Sequence, residues 1–366
     1  MGKKMSTSNT LQETAAPSVS QDDQAAIMQK IEAFGAAGER LEGWIAGAQA
    51  LALLQGALQS GILDAVRTPS TPAEIAAAVG TDERRTADVC LALEAFGIVD
   101  RVGEAYRLSS DFAILAAPDA LQSLSHTLGI AQVMARALAA AATAERAYTA
   151  LPSEDALAVA KGVAPVPSSS MSRAFMTCLY DELPEVKSIM EQGGRWLELG
   201  CGAAGGIVTL LQIFPRMTAV GLEINDDVLE EARRRAIEMR VDDRVEFRHM
   251  DARDLQEDQA FDVAFWSQFF FPSATRAATL AVARRALKPG GYLGMPLLGE
   301  MPASTEALRE APGRHAAVGK LVYSSWRVPV RSAEELRAEV EAAGFEFVRV
   351  ASFSGSRGLI ARVPER

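Results

Sequence analysis

The chain has 366 residues, of which 49% are hydrophobic and 23% are charged, a length that predicts two globular domains rather than one. Its formal net charge of −10 disfavours nucleic acids and anionic membranes as partners. Three widely spaced cysteines predict neither a disulfide framework nor a metal site, and the lack of an apolar leader or membrane span predicts a cytoplasmic protein.

The first part of the chain is predicted to be a tail followed by helices. Residues 1–24 are rich in Ser, Thr and Gln without apolar periodicity, which predicts a disordered tail. Apolar periodicity then predicts two helices, over residues 26–36 and 41–60. The second helix is so dense in Ala and Leu that we expect it to be buried.

The segment 71–108 has the pattern of a winged helix. Thr71–Gly80 begins with a threonine N-cap and a proline and ends in glycine, which predicts a short helix. A second helix is predicted to begin at Thr81, and the alternating residues 97–108 predict a hairpin around a Gly-Glu turn. The segment holds four arginines and seven acidic residues, a net charge of −3 that does not favour DNA binding.

The middle of the chain is predicted to be helical and apolar. Residues 109–163 form mostly apolar helices, and the Pro- and Ser-rich residues 165–170 predict a linker. Ser170 is the expected N-cap of a helix over Met171–Tyr180. Three residues of that helix fall about one turn apart and share a face: Arg173, Met176 and Tyr180.

The stretch Arg195–Gly206, R-W-L-E-L-G-C-G-A-A-G-G, predicts the ligand-binding corner of an α/β fold. Trp196–Leu199 is a short buried strand, and an apolar helix over Ile207–Phe214 follows the glycines at once. Glycines let a ligand approach the backbone, and the helix N-terminus presents N–H groups without internal partners.

An acidic residue follows this turn at a characteristic distance. The next strand, Thr218–Ile224, carries Glu223 about 20 residues beyond the turn, where a carboxylate can take both hydroxyls of a ribose. G-C-G-A-A-G also matches the dinucleotide fingerprint, so the pattern alone allows NAD as well as S-adenosylmethionine. Glu198, two residues before the first glycine, favours S-adenosylmethionine because a carboxylate repels a pyrophosphate but suits a cationic α-amino group.

The C-terminal half continues with strands that alternate with helices, until two strands follow each other directly. Three further strand or turn segments are Val245–Asp251, Phe261–Ser267 and Leu287–Leu293. The last two strands, Phe345–Phe353 and Arg357–Val363, are joined only by Ser-Gly-Ser, which predicts an antiparallel hairpin at the sheet edge.

Together, E-L-G-C-G-A-A-G-G, V-E-F-R-H-M-D, F-D-V-A-F-W-S and L-K-P-G-G-Y-L resemble the motifs of class I S-adenosylmethionine-dependent methyltransferases. With the winged helix, the chain resembles the two-domain small-molecule O-methyltransferases. The resemblance implies an α/β fold, with a seven-stranded Rossmann-like domain over residues 185–366 and a winged-helix domain over 25–120 that pairs two subunits into a homodimer. Residues 121–184 would be a helical linker or cap.

The resemblance also implies how the cofactor is held. Glu198 would meet the methionine ammonium, and Gly200 and Gly202 would let the cofactor approach the backbone. Glu223 would bind the ribose, and Asp251 the adenine amino group. The complete predicted set is Met176, Glu198, Gly200, Gly202, Glu223, Ile224, Asp251, Ala252 and Ser267, and the product would be S-adenosylhomocysteine.

The chain departs from the resembled family after the fourth strand, where most relatives keep a histidine that acts as general base on a phenol. The run W-S-Q-F-F-F-P-S places Phe270 or Phe271 at that position. A positioned base contributes about 10²–10⁴ in rate, so its absence tells against an ordinary phenol substrate. The insertion 299–328 should overhang the substrate and offers another histidine. The candidate catalytic residues are His315, Asp181 and Glu182.

We predict a methyltransferase that acts on a small, largely apolar natural-product intermediate, with O-methylation slightly favoured. C-methylation of an enolate or an alkene is the alternative, and a non-methylating activity or a ligand-sensing regulator of the same fold also stays open. The predicted substrate-binding residues are Tyr180, Gln268, Phe269, Phe270, Tyr323 and Trp326.

Overall fold

The computed structural model describes residues 21–141, 143 and 148–365. Most of the predicted N-terminal tail therefore lies outside the described residues. The elements of the N-terminal region are α1 (Gln21–Gln59), α2 (Ile62–Ala65), α3 (Pro72–Val79), α4 (Glu83–Ala95), β1 (Val99–Val102), β2 (Ala105–Leu108) and α5 (Ser110–Leu115). None of the helices in these ranges or in the rest of the described chain is long and apolar enough to cross a membrane.

The winged helix forms from local signals. Thr71 caps α3 in a reciprocal capping box with Glu74, and the side chain of Asp82 caps α4 by accepting from the amide of Arg85. Strands β1 and β2 pair antiparallel around the predicted Gly-Glu turn. Their core is buried and apolar, with Ile75 and Leu93 fully inaccessible.

The prediction of two helices before the winged helix was wrong, because α1 is one continuous helix of 39 residues. Gly38 lies in the expected gap and Gly35 just before it, but each costs a helix only about 1 kcal/mol. The expectation that this region is buried was also wrong. Leu54 and Ala57 enter the winged-helix core, whereas Trp44 is 74% exposed, because the rest of the chain covers only the C-terminal part of α1.

Four helices connect the winged helix to the sheet: α6 (Leu124–Ala141), α7 (Ser153–Val163), α8 (Ser170–Asp181) and α9 (Pro184–Glu191). Helix α8 begins one residue earlier than predicted. Its N-cap is Ser169 rather than Ser170, since the Ser169 hydroxyl accepts the Ser172 amide at 3.0 Å. The Ser169 hydroxyl also donates to the carbonyl of Asp119, which ties this N-terminus to the preceding segment.

The C-terminal region alternates strands and helices. Its elements are β3 (Arg195–Leu199), α10 (Gly205–Ile213), β4 (Thr218–Glu223), α11 (Asp226–Glu238), β5 (Val245–His249), β6 (Phe261–Trp266), α12 (Ser273–Ala286), β7 (Leu287–Leu297), α13 (Thr305–Arg309), α14 (Ala311–Ser325), α15 (Ala333–Ala342), β8 (Glu346–Phe353) and β9 (Ser356–Arg362).

One seven-stranded sheet has the order β5-β4-β3-β6-β7-β9-β8. The first five strands in that order pair parallel, and β9 runs antiparallel to both β7 and β8. The strand order reverses direction at β3, so ligands are expected beyond the carboxyl ends of β3 and its neighbours. The predicted fold class, including the antiparallel hairpin at the edge, is confirmed.

Two apolar layers cover the sheet. Helices α9, α10 and α11 pack on one face, where Val186, Ile207 and Leu229 are buried, and α12 and α15 pack on the other, where Leu280 and Leu336 are buried. Strand β3 lies between the layers, so four of its five residues are buried.

The insertion after β7 forms α13 and α14. Val322 and Trp326, at the end of α14, pack with Val133 of α6 and Val159 of α7. The insertion therefore joins the cap helices, and together they cover the carboxyl end of the sheet.

Candidate active site

The turn after β3 has a backbone that glycine alone adopts without strain at two positions. Gly200 and Gly202 have φ values of 76° and 55°. A Cβ at Gly200 would also lie 3.0 Å from the ring of Phe271. The amides of Gly200 and Cys201 both donate to the carbonyl of Leu222, at 3.0 and 2.9 Å, which anchors the turn to β4.

The turn ends at the N-terminus of α10, and the chain that follows α7 packs tightly against it. A Cβ at Gly205 would lie 2.3 Å from the carbonyl oxygen of Pro165 and 2.8 Å from the Cβ of Ala164. As the first residues of α10, Gly205 and Gly206 have amides without an acceptor inside the helix. Both residues line a cavity of about 610 Å³ between the sheet and the cap helices.

Glu198 is the most unusual side chain of this cavity. It projects from β3 and is only 7% exposed. Its carboxylate accepts the indole N–H of Trp196 at 3.3 Å and has no ion-pair partner among the described residues. Burial therefore raises the pKa of Glu198 to about 8, although the Trp196 hydrogen bond opposes the shift. A cation placed beside it would restore the charged form.

Glu223, at the end of β4, holds the turn as well as facing the cavity. Its carboxylate accepts the amide of Gly202 at 3.0 Å and the amides of Ile224 and Asn225 at 2.9 Å each. Burial raises the pKa of Glu223, and these three N–H groups oppose the rise. A carboxylate has about four acceptor sites, so capacity remains for a ligand hydroxyl.

Asp251 lies further along the same wall, and Arg253 already engages both of its oxygens. The Arg253 guanidinium donates to Asp251 at 3.0 and 2.7 Å, and the Arg253 amide donates at 2.9 Å. These contacts hold the pKa of the Asp251 carboxyl below its usual range. An amino group that binds here would share the carboxylate with Arg253.

The structure brings all nine predicted cofactor residues to one cavity. These residues lie at or near the ends of β3 to β6, or on α8 above those strand ends. The residues that line the cavity are Met176, Glu198, Gly200, Gly202, Glu223, Ile224, Asp251, Ala252 and Ser267. Their individual roles stay predictions.

Aromatic side chains form another wall of the cavity. Tyr180 and Phe270 line it, as predicted, and so does Phe271. The ring of Tyr148 lies 4.8 Å from the ring of Phe270, measured between centroids, and also faces the cavity. Burial, together with the nearby Glu198 charge, raises the pKa of Tyr180, so its hydroxyl stays protonated at neutral pH.

Comparisons with known proteins agree with this geometry. Residues 197–291 match the family model described as "Methyltransferase domain". This stretch is a methyltransferase domain. It runs from inside β3 to the start of β7 and so includes the glycine-rich turn and the acidic residues of the cavity.

A curated relative and several solved structures are similar to the chain. A 27-O-demethylrifamycin SV methyltransferase from Amycolatopsis mediterranei is 34% identical over 160 residues, which are 43% of this chain and 56% of that protein. The chain spans about half the length of the curated relatives that it matches.

The solved structures extend the likeness in fold to nearly the whole chain. An O-methyltransferase family protein from Burkholderia thailandensis has a TM-score of 0.66 at 18% identity, covering 89% of this chain and 97% of its own. Human N-acetylserotonin methyltransferase, solved in complex with S-adenosylmethionine, has a TM-score of 0.65 at 14% identity, covering 90% and 98%. The fold is therefore that of two-domain O-methyltransferases, and S-adenosylmethionine is the cofactor of this type of domain.

Four of the six predicted substrate-binding residues do not line the cavity. Gln268 is fully buried, where it donates to the carbonyl of Pro296 at 2.7 Å and accepts from Arg276 at 2.8 Å. Phe269 packs on Tyr323, with 5.2 Å between ring centroids. Tyr323 in turn meets Trp326 in the cluster that joins α14 to α6 and α7. These three aromatic residues hold the cap together rather than facing the cavity.

The three candidate catalytic residues also lie away from the cavity. His315 is exposed on α14. Asp181 is exposed at the end of α8 and pairs with Lys187 at 2.6 Å, and Glu182 is exposed just beyond it. The helical repeat turns these residues outward, whereas Met176 and Tyr180 face inward. Arg173 was expected to share the face of Met176 and Tyr180, but its guanidinium donates to the carbonyl oxygens of Pro167 and Ser168.

Sequence reasoning did not single out Tyr148 as a site residue. It lies in a short 3-10 turn, Tyr148–Ala150, that has no periodic pattern. Phe271 was not among the predicted substrate-binding residues, yet its ring lies against the turn itself at Gly200. The signal for Phe271 was present, since it directly precedes Pro272 at the loop that follows β6.

Proposed function

We propose that the chain transfers a methyl group from S-adenosylmethionine to a small, largely apolar acceptor held in the cavity. The observation that carries this proposal is Glu198, a buried carboxylate that faces the ligand cradle and lacks a cationic partner among the described residues. A positively charged ligand satisfies it, and a pyrophosphate would be repelled. The glycine-rich turn fits the cofactor because Gly200 and Gly202 have positive φ values that side chains rarely adopt, and because a Cβ at Gly206 would point towards Glu198.

In this proposal the residues of the chain bind and orient the reactants. Glu198 holds the ammonium, Glu223 accepts from the ribose while it braces the turn, and Asp251 receives the adenine amino group together with Arg253. The bound cofactor supplies an electrophilic methyl group on a sulfonium. Placing an acceptor in line with that methyl group supplies much of the rate acceleration through proximity alone.

The walls near the acceptor favour a flat, apolar molecule. Tyr148, Phe270 and Phe271 present rings to the cavity, and Tyr180 closes it beside Glu198. The curated relative is named for the methylation of 27-O-demethylrifamycin SV, which supports a natural-product acceptor and O-methylation. The acceptor is therefore proposed to be a small, largely apolar natural-product intermediate.

C-methylation is the second candidate, and one observation favours it. Phe270 and Phe271 both line the cavity and occupy the place at which the resembled family keeps a histidine base. An acceptor that arrives as an enolate, or as a reactive π-bond beside aromatic rings, needs no such base. Transfer of a ¹³C-labelled methyl group, followed by NMR of the product, distinguishes a methoxy carbon from a carbon-bound methyl.

We further propose that residues 25–120 form a dimerisation domain, residues 121–184 a cap, and residues 185–366 the catalytic domain. Helix α1 supports the dimer, because Phe34 is 80% and Trp44 is 74% exposed in a single chain. The cytoplasmic location predicted from the sequence agrees with three cysteines that are all free.

Equilibrium dialysis tests the proposed function. Labelled S-adenosylmethionine should be retained by the full chain, and excess unlabelled S-adenosylhomocysteine should displace it while excess NAD should not. Displacement of the labelled S-adenosylmethionine by NAD but not by S-adenosylhomocysteine would instead indicate that the cavity binds a dinucleotide.

A further inference from the structure

A buried ion pair lies behind the glycine-rich turn, on the side away from the cavity. Glu231 and Arg235, one turn apart on α11, are 9% and 4% exposed. The Arg235 Nε donates to Glu231 Oε1 at 2.9 Å. Burying two charges costs free energy that their attraction only partly returns, so such a pair is weak evidence for stability alone. Its other contacts indicate a different role.

Arg235 also reaches into the turn. Its Nη1 donates to the carbonyl oxygen of Ala203 at 3.3 Å. Ala203 is fully buried, and the next residue, Ala204, has a φ of 53°, a left-handed conformation that an alanine adopts at a cost of about 1–2 kcal/mol. Surrounding contacts must therefore hold this backbone, and the guanidinium fixes the carbonyl that precedes the strained residue.

The cap takes part in the same cluster. Lys161, on α7, places its ammonium 3.5 Å from Glu231 Oε1. The neighbouring Ala160 packs with Ala203 and with Val228 of α11. A Cβ at Gly202 would lie 3.7 Å from the Cβ of Ala160. Helix α7, helix α11 and the turn thus meet at one place, and the charged side chains link all three.

We propose that Arg235, held by Glu231, is a positioning residue that keeps the glycine-rich turn in its ligand-binding conformation, and that Lys161 makes this conformation depend on the docking of α7. The cap then affects cofactor binding without touching the cofactor. This inference rests on the proposed function only for the identity of the ligand, since the network itself is a property of the ligand-free chain.

Arg234 provides a matched control. It donates to the same Glu231 carboxylate at 2.9 Å, through both Nε and Nη2, and to Glu238 at 2.8 Å. Its side chain is 59% exposed and lies on the outer side of α11. Within the described part of the chain, the hydrogen bonds of Arg234 go to Glu231 and Glu238 and none goes to the turn. Replacing Arg234 therefore removes an equal charge from the same helix and the same acid but leaves the Arg235–Ala203 contact intact.

The test compares Arg235→Met with Arg234→Met in the full chain by two measurements. Hydrogen exchange of the ligand-free protein should show amides of residues 201–208 exchanging about tenfold faster in Arg235→Met and unchanged in Arg234→Met. Titration with S-adenosylhomocysteine should show about tenfold weaker binding in Arg235→Met only. Exchange in α12 and α15, on the other face of the sheet, should be the same in both variants.

Two further variants keep the test decisive. Arg235→Lys retains the charge beside Glu231 and should restore folding and part of the binding, which covers the case in which the methionine variant does not fold. Lys161→Met should accelerate exchange in both α7 and the turn. Equal exchange in the turn and equal affinity for Arg235→Met and Arg234→Met would overturn the inference. If Arg235→Met does not fold, unchanged exchange of the turn in Lys161→Met would overturn it. If the unaltered chain fails to bind S-adenosylhomocysteine, the proposed function fails instead, and the exchange data still decide the positioning role.

Discussion

At the scale of a single residue, Glu198 determines which ligand charge the site accepts. A carboxylate with little solvent and one indole hydrogen bond is held in a state that disfavours its charge. The folded, ligand-free protein is therefore less stable at high pH than it would be without this acid. A bound cation reverses that cost, so binding and stability are linked through one side chain.

Glu198→Gln should stabilise the ligand-free protein, and the gain should depend on pH. The pKa of Glu198 is raised to about 8 in the folded state, and the unfolded value is about 4.3. A raised carboxyl pKa lowers stability progressively as pH rises from the unfolded to the folded value. Thermal unfolding at pH 8.5 should show the variant more stable by about 1–3 kcal/mol. The advantage should shrink towards pH 5, and equal melting temperatures at pH 8.5 would contradict it.

Binding of S-adenosylhomocysteine should strengthen as pH rises from 5.5 to 7.5. The ligand ammonium needs the Glu198 carboxylate, which must lose a proton, so affinity should rise by up to about tenfold per pH unit. Three other titratable groups near Glu198, namely Tyr180, Cys201 and Glu223, also have raised pKa values. Tyr180 and Cys201 stay neutral over this range. A slope that persists in Glu198→Gln would assign the titration to Glu223 instead.

The cofactor half of the site was predictable residue by residue, whereas the acceptor half was not. Glu198, Gly200 and Glu223 follow from local strand and turn signals, because a parallel sheet brings the ends of its strands together. Phe269 and Phe270 are adjacent and chemically identical, yet only Phe270 reaches the cavity. Their directions depend on packing against α14 and on the 3-10 turn at Gln268–Phe270, which no short-range pattern encodes.

At the scale of elements, the contact between the glycine-rich turn and the segment after α7 determines the shape of the ligand-binding turn. Gly205 and Gly206 are adjacent at the start of α10, but they face different surroundings. A Cβ at Gly205 would strike the Pro165 carbonyl, whereas the nearest atom to a Cβ at Gly206 is a Glu198 oxygen at 3.9 Å.

Gly205→Ala should therefore destabilise the protein, while Gly206→Ala should not. The first substitution forces the linker away from the turn, at a cost of about 1–3 kcal/mol. The second adds a methyl group in ordinary contact and improves helix propensity by up to about 1 kcal/mol. Thermal unfolding of the two ligand-free variants measures the difference. Similar melting temperatures for both would mean that the linker does not press on Gly205.

Elements with strong local signals were predicted well, and those that depend on tertiary partners were not. The N-cap at Thr71 and the hairpin after Glu346 appear as expected. Helix α1 was divided incorrectly because glycine is a weak helix breaker. The folding of 299–328 into helices was missed because α14 is stabilised by α6 and α7, which are distant in sequence.

At the scale of the whole molecule, a single chain leaves most of α1 exposed. Its apolar side chains are large and lie along most of the helix: Ile27, Met28, Ile31, Phe34, Leu41, Trp44, Ile45 and Leu51. Isolated exposed apolar residues are common, but a series of this length marks an interaction surface. The proposed occupant is a second copy of the chain.

Light scattering should give the mass of a dimer at micromolar concentration. The double substitution Phe34→Glu and Trp44→Glu should reduce the mass to that of one chain, because each buried aromatic contributes about 1.5–3 kcal/mol. Replacing the exposed charges Glu32 and Glu42 by Gln on the same helix provides the control and should leave the mass unchanged. A monomeric unaltered chain would contradict the proposed dimer.

Calorimetric titration with S-adenosylhomocysteine and with NAD tests the central claim most directly, because it measures which ligand the Glu198 cradle accepts. The unaltered chain should bind S-adenosylhomocysteine and give no heat with NAD. Glu198→Gln should weaken that binding by at least about tenfold, since the charge-assisted contact is lost. Glu191→Gln removes an exposed carboxylate from α9 and should bind like the unaltered chain. Heat with NAD but none with S-adenosylhomocysteine, or equal affinity in Glu198→Gln, would contradict the account.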